Sequence, residues 1–382
     1  MASTRDKFRA VQDELNTVLL EREAAVENSL IALLTGEHYL QLGPPGVAKS
    51  YLVDQLTARI TGASLFKILL NPSTTPDEVF GPVDLIELAD HGHYTRRRTG
   101  SITDAAIAWC DETYKCNSVV LNGLLKIMNE REFSEIGMPS VHVPLLSMFG
   151  ASNETPTDNG LQAFDDRFII RELIQEISDD TTFIQMLIAP DHTPQAFVSI
   201  ADIQVAQQEV TQVKGTTEVL QKIVELRHAC SNEGVRPSQR RWKKALAIIK
   251  ARAWLDGLPE TDIEAMTCLT HVLWRDPKER KTVERIVYEV AAPLYLQAVA
   301  IEDQAAELMA ALPREDAENY QSIAENVLVQ TRDMALMLRR DIQASAARDK
   351  SRALAALTKV EGYHNRVKTA LFQAVSRLTL KV

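Results

Sequence analysis

The sequence predicts an α/β fold, a parallel five-stranded sheet covered by helices on both faces, followed by an all-helical second half. Three observations predict it. Short apolar runs alternate with helical stretches between residues 38 and 173, the pattern of parallel strands joined by crossover helices. A glycine-rich loop follows the first of these runs and opens a helix with Lys49-Ser50, the layout of a phosphate-binding loop. Beyond about residue 175 the periodicity is helical and is broken only at prolines.

In chain order, Phe8, Val11, Leu15, Val18 and Leu19, then Ala25, Leu30 and Leu33, recur at helical steps over residues 5–35. The expected strands are 38–42, 65–70, 107–110, 145–151 and 168–173, with helices over 49–61 and 117–128 between them. Two inserts, 90–100 (DHGHYTRRRTG) and 131–143 (REFSEIGMPSVHV), set turn residues between short alternating runs and read as β-hairpins. Arg96, Arg97 and Arg98 in the first read as a solvated hairpin arm, with a ring-pore or partner contact as the alternative. Near the C-terminus, Ile323, Val327, Met334 and Leu338, then Leu354, Leu357, Val367, Leu371 and Leu378, give two amphipathic helices. These read as a hairpin packed on its own domain, with a partner-binding arm as the alternative. The expected divisions are a nucleotide-binding core over 1–178, a helical lid over 179–284 and a helical region over 285–382.

Composition excludes several function classes. A net charge of −10 argues against sequence-independent nucleic-acid binding, which depends on neutralising phosphates. Cys110, Cys116, Cys230 and Cys268 form no C-x-x-C pair and no zinc-finger spacing, as expected of reduced thiols in a cytoplasmic protein. The N-terminal stretch lacks an apolar core and no run of about 18 apolar residues occurs, so neither export nor a membrane span is expected. His91 and His93 stand without an acidic or Cys/His partner cluster, so no metal site is expected there.

Five motifs carry chemistry. In Gly43-Pro44-Pro45-Gly46-Val47-Ala48-Lys49-Ser50 the backbone N–H groups would wrap a phosphate chain. Lys49 would bridge the β- and γ-phosphates and Ser50 would ligate Mg²⁺. Ala48 stands where glycine is usual, and the expectation is a negative φ at the start of the helix, where alanine is tolerated. Asp111-Glu112 ends a strand about sixty residues on. Asp111 would hold Mg²⁺ through water and Glu112 would polarise the attacking water. Asn153, after the run 145–149, can bond the γ-phosphate and that water. Arg167, in Phe164-Asp165-Asp166-Arg167-Phe168, lies too far from its own nucleotide and would serve a neighbour's. Arg240, with Arg241 as second choice, opens a helix in Ser238-Gln239-Arg240-Arg241-Trp242 and would sense the nucleotide from the lid.

Together GPPGVAKS, WCDE, GASNE, the DDRF arginine and the SQRRWKK helix resemble the MoxR family of AAA+ ATPases. The RavA branch is the most similar, through the Ala-Lys-Ser loop ending, Thr75-Pro76-Asp77-Glu78-Val79-Phe80-Gly81-Pro82 and Asn129-Glu130-Arg131-Glu132-Phe133. The resemblance covers roughly residues 15–280. It implies ATP and Mg²⁺, a hexameric ring, a helical lid, chaperone-like remodelling of a client, and a partner carrying a von Willebrand factor A domain. RavA-type proteins carry a β-rich insertion beyond the lid, and residues 285–382 show no comparable stretch. Two other readings use the same residues: an assembly scaffold gated by slow hydrolysis, and a DNA-acting motor, against which the acidic balance counts.

Overall fold

The computed structural model describes residues 3–379 apart from 136, 157, 158, 191, 315, 316, 318, 346 and 349; the side chains of 159, 352 and 373–379 are not described. Five parallel strands, β1 (Tyr39–Leu42), β2 (Leu65–Leu69), β3 (Ile107–Asp111), β4 (Ser147–Ser152) and β5 (Ile170–Leu173), form one sheet in the order β2-β3-β4-β1-β5. They fall where the apolar runs predict them. Helices cover both faces, so every residue of β1 and β4 is buried, which is why these strands read as continuous rather than alternating apolar runs.

Residues 5–35 form two helices rather than one: α1 (Thr4–Val18), capped by Ser3, and α2 (Glu23–Thr35). Between them Glu21 takes φ 55°, a left-handed turn that stops the first helix. The crossovers are made by α3 (Lys49–Thr57), then α4 (Pro76–Phe80) and α5 (Leu85–His91), then α6 (Ser118–Glu130), then α7 (Asn159–Asp165). Residues 132–133 pair antiparallel with 141–142, so the second insert is the expected hairpin.

The first insert is not a hairpin. Asp84 accepts from the N–H groups of Ile86 and Glu87 and starts α5, which Gly92 closes at φ 70°; an aspartate N-cap and a run of helix formers outcompete the turn signals. Only an isolated bridge, Val83 to Arg96, remains of the expected pairing. Nor are the three arginines a solvated arm. The Arg96 side chain is 6% exposed and pairs with Asp77 at 2.5 Å and Glu135 at 2.8 Å. Arg98 donates to the carbonyls of Thr103 and His142. Arg97 alone of the three stays largely exposed, beside Asp84. The basic triplet therefore ties the first insert to α4 and to the second hairpin.

The chain divides into two compact units, 1–220 with 234–280, and 221–233 with 281–382, cut differently from the expected boundaries at 178 and 284. The α-helices between 178 and 292 are α8 (Asp180–Ile188), α9 (Ile200–Gln212), α10 (Thr217–Asn232), α11 (Gln239–Leu255) and α12 (Arg280–Ala291). Of these, α9 and α11 pack with α1 and α2 inside the first unit. The apolar stripe of α1 explains it: Phe8 meets Trp254 edge-on at 5.5 Å, Lys7 pairs with Asp202 at 2.6 Å, and Arg252 of α11 joins Glu27 of α2.

In the second unit α13 (Pro293–Ala310), α14 (Tyr320–Ala344) and α15 (Ser351–Thr379) bury Leu294, Ala298, Ile301, Leu338, Leu357 and Val360 among them. Val327, Val367 and Leu371 belong to a neighbouring cluster with Tyr320. The predicted tail helices are thus a packed hairpin, although Leu354 is exposed and Leu378 lies outside the described side chains. No helix among the described residues is long and apolar enough to cross a membrane.

Candidate active site

Strand register gathers the motifs. Leu42 of β1 pairs with Ser152 of β4, and Cys110 of β3 with Gly150. Gly43, Asp111, Glu112 and Asn153 therefore emerge together at the carboxyl edge, where parallel sheets bind ligands. The chain leaves β1 through Gly43 at φ 153°, its N–H donating to Ser152 O at 3.1 Å. A Cβ there would lie 2.2 Å from Ile174 O. No other residue fits.

Gly46 follows at φ 86° and Ala48 at φ 63°, ψ 29°. The expectation of a negative φ at Ala48 is overturned: the loop is still curling left-handed there, and α3 begins only at Lys49. An L-residue in this region costs about 1–2 kcal/mol, so the sequence keeps alanine at a position that favours glycine. Val47 and Lys49 are buried while Ala48 and Ser50 face outward.

Lys49 Nζ folds back on its own loop, donating to Gly43 O at 2.5 Å and Pro44 O at 3.1 Å, and to Asn153 Oδ1 at 2.8 Å. Burial pulls its ammonium below the usual lysine range, opposed by the nearby Asp111 and Glu112 carboxylates. Asn153 Nδ2 in turn donates to Glu112 Oε1 at 3.1 Å. Asp111 Oδ1 accepts from Glu112 N at 2.9 Å. Glu112 takes φ 50°, ψ 45°, a region rarely used by a non-glycine residue and maintained only where the surroundings force it. Here Thr113 forces it, its hydroxyl donating to Cys110 O at 2.7 Å and Ala151 O at 2.9 Å.

Three residues around this turn escaped the sequence reading. Thr113 pins β3 to β4. Tyr114 OH donates to Asp165 Oδ1 at 2.5 Å, and Asp165 pairs with Arg171 at 3.3 Å. Lys115 Nζ stands 3.1 Å from Glu112 Oε2. Their one signal is the run Thr-Tyr-Lys directly after the Asp-Glu pair.

A cavity of about 790 Å³ adjoins the phosphate loop. Val18, Leu20, Val47, Tyr51, Phe183 and Met186 are among its walls. Its size and apolar lining suit a nucleoside-sized group. The strap behind it is anchored at both ends on acids: Glu21 accepts from the N–H groups of Ser178 and Asp179, and Glu14 from those of Gln195 and Ala196.

Arg167 and Arg240 lie at the opposite edge of the sheet. Ile170 N donates to His38 O, so Arg167 precedes the start of β5. Arg240 reaches Asn129 Oδ1 at 3.4 Å and Asp166 Oδ2 at 3.9 Å. In the same helix Lys244 pairs with Glu37, just before β1, at 2.5 Å. Arg240, expected to sense the nucleotide from the lid, stands beside Arg167. Burial and the Arg240 charge pull the Arg167 guanidinium below its usual range, with Asp166 opposing. Arg167 forms no ion pair among the described residues, and its buried Nε has no hydrogen-bond partner. Arg241, the second choice, is fully buried and donates to the carbonyls of Phe168, Ile169 and Val272. Burial, with Arg171 alongside, pushes its guanidinium down to about 9. Arg241 is a structural clasp.

The chain is similar to known proteins. Residues 6–215 match the MoxR domain of the MoxR–vWA–β-propeller ternary systems, and residues 218–287 an AAA lid domain. An uncharacterised protein of Methanocaldococcus jannaschii is 34% identical over 76% of this chain and 76% of its own. The chaperone MoxR1 of Mycobacterium tuberculosis is 26% identical over 41% of each chain. The crystal structure of a candidate ATPase from Cytophaga hutchinsonii superposes with a TM-score of 0.60 at 19% identity, covering 75% of this chain and 95% of that one. With its parallel sheet, phosphate loop and matched domains, the chain belongs to the MoxR family of AAA+ ATPases.

Proposed function

We propose that the protein hydrolyses ATP·Mg²⁺ in a ring of its own copies, a hexamer, and uses the cycle to remodel or assemble a partner protein. One observation carries the reading. Lys49, Asp111, Glu112 and Asn153 gather at the carboxyl edge, whereas Arg167 and Arg240 stand together at the amino edge, away from the phosphate loop of their own subunit.

Each residue then has a task. The N–H groups of the loop and of the first turn of α3 receive the phosphates. Lys49 exchanges its loop carbonyls and Asn153 for phosphate oxygens. The Ser50 hydroxyl and Asp111 carboxylate are hard oxygen donors of the kind Mg²⁺ takes and would hold it, and the ion would supply charge neutralisation to the phosphates. Glu112 accepts the proton of the attacking water and Asn153 orients that water. Arg167 and Arg240 neutralise charge on the neighbouring subunit's γ-phosphate.

The family description names vWA and β-propeller components, and a von Willebrand factor A domain protein is the proposed partner. The chaperone relative supports remodelling as the output. The proposed setting is the cytoplasm. The test is ATP binding by Lys49→Ala, which keeps the fold and loses the nucleotide, since a charge-assisted contact is worth about 1.5–3 kcal/mol. Binding as tight as wild type overturns the assignment.

A further inference from the structure

A second cavity, of about 670 Å³, opens between α4, α6 and the hairpin of the second insert. It shares no lining residue with the cavity beside the phosphate loop, and its size is within the range of about 300–1,000 Å³ that binding clefts occupy. The floor is aromatic. Phe80 at the end of α4 and Phe133 of the hairpin stack with ring centroids 4.6 Å apart and planes 26° apart, and both are buried. Gly123 of α6 makes room for them, since a Cβ there would meet the Phe80 ring at 2.3 Å. A glycine inside a helix costs about 1 kcal/mol against alanine, so α6 loses helix stability where the floor needs the space. Val119, one turn earlier on the same face of α6, is 62% exposed at the rim.

Two charged side chains stand in the wall, Glu135 and Lys126. Arg96 donates to both Glu135 oxygens, at 2.8 and 3.1 Å, and so compensates that carboxylate. Lys126 Nζ donates only to the Ser134 hydroxyl, and no carboxylate among the described residues pairs with it. The Tyr94 hydroxyl and the Asn122 amide, also in the wall, have no hydrogen-bond partner among the described residues either.

We propose that this cavity binds an extended acidic segment of a partner protein, seating one aromatic or large aliphatic side chain against the Phe80–Phe133 stack and Val119 and a neighbouring carboxylate on Lys126. The uncompensated ammonium sets the sign of the ligand: a carboxylate gains a charge-assisted contact there, and a basic segment meets a like charge. The Asn122 amide and the Tyr94 hydroxyl suit the main-chain N–H and C=O groups that flank a seated side chain. Binding at this cavity needs no hydrolysis, so it is measured without nucleotide, and its failure leaves the ATPase assignment untouched.

The experiment follows the fluorescence anisotropy of labelled heptapeptides titrated with the full chain. The probe is Gly-Asp-Glu-Phe-Asp-Gly-Ser. Its controls carry the matching amides in place of the acids, lysines in place of the acids, or serine in place of the phenylalanine. The acidic aromatic peptide should saturate and bind about tenfold or more tightly than each control, the scale of one charge-assisted contact. Lys126→Met should lower its affinity about tenfold, to that of the amide peptide, and Val119→Asp, a change at the exposed rim, should lower it as well. Both variants should keep the wild-type melting temperature. A probe that does not saturate, or that binds both variants as tightly as wild type, overturns the proposal. So does preference for the lysine peptide. Equal binding of the serine peptide reduces the effect to surface charge and removes the cavity from it. If the probe does not bind and Val119→Asp instead breaks assembly of copies in mass measurements, the face is a contact between copies and the partner assignment falls.

Discussion

Replacing Arg167 by alanine should abolish hydrolysis without weakening ATP binding, because in the proposed ring its charge serves the next subunit. The geometry sets the scale. Tyr39 to Gly43 spans the sheet from amino to carboxyl edge, about 13 Å at about 3.3 Å per residue, and an arginine side chain covers about half of that. Arg167, before the start of β5, therefore cannot reach the phosphate loop of its own chain. Loss of an arginine finger lowers turnover by about 10³-fold or more. The decisive assay mixes two inactive variants, Lys49→Ala and Arg167→Ala, at equal concentration. In a head-to-tail ring each site takes its loop from one subunit and its arginine from the next. About a quarter of the interfaces then pair an intact Lys49 with an intact Arg167, so activity should return toward a quarter of wild type. If the mixture stays dead after mass measurement proves co-assembly, the shared site is refuted.

The other expectations are simpler. Glu112→Gln should bind ATP normally and hydrolyse it about 10²–10⁴-fold more slowly, as loss of a general base requires; single-turnover kinetics decide this. Ala48→Gly relieves a left-handed alanine, so denaturant unfolding should find it neutral or more stable by about 1 kcal/mol, after the added freedom of the unfolded chain is set against the gain. Ala48→Val should lose stability and ATP affinity at the same site, and equal behaviour of the two would contradict the φ assigned there. His271 Nδ1 lies 3.1 Å from Glu172 Oε2, which also accepts from Asn28. Burial opposes both charges, yet the pair prevails: His271 is raised above its ordinary 6.5 and Glu172 is lowered below its ordinary 4.5. The histidine contribution is full below pH 6.5 and is lost as pH rises through the raised value. The glutamate contribution is full above pH 4.5 and is lost as pH falls through the lowered one. Stability from this pair should thus peak between these limits, and melting temperatures of His271→Leu across pH should lose that peak.

The strands and the phosphate loop were legible in the sequence for a common reason. A strand buried on both faces must be apolar along its length, and a phosphate loop needs glycines followed by Lys-Ser, so both write themselves locally. Gly43 is an example: the sequence demanded a tight turn, and the structure adds the Ile174 carbonyl that excludes any side chain. The first insert was misread because turn residues His-Gly-His outweighed the aspartate cap two turns earlier. Arg96 was misread because charge in sequence says nothing about Asp77 and Glu135 closing around it.

The sequence alone determined the sheet, the phosphate loop, the Asp-Glu pair at a strand end, and the helical character beyond residue 175. Local pattern is enough for these, since each follows from burial or backbone conformation over a few residues. Tertiary structure decided three further matters. It showed Ala48 still in a left-handed turn, put Arg240 beside Arg167 instead of the phosphate loop, and brought Lys115 and Asn153 to opposite oxygens of Glu112. The meeting of Arg240 with Arg167, and of Asn153 with Glu112, depends on how segments distant in sequence pack. α11 reaches the amino edge of the sheet because it shares the apolar stripe of α1 and α2, and that packing, which no local pattern encodes, sets Arg240 away from the phosphate loop of its own chain.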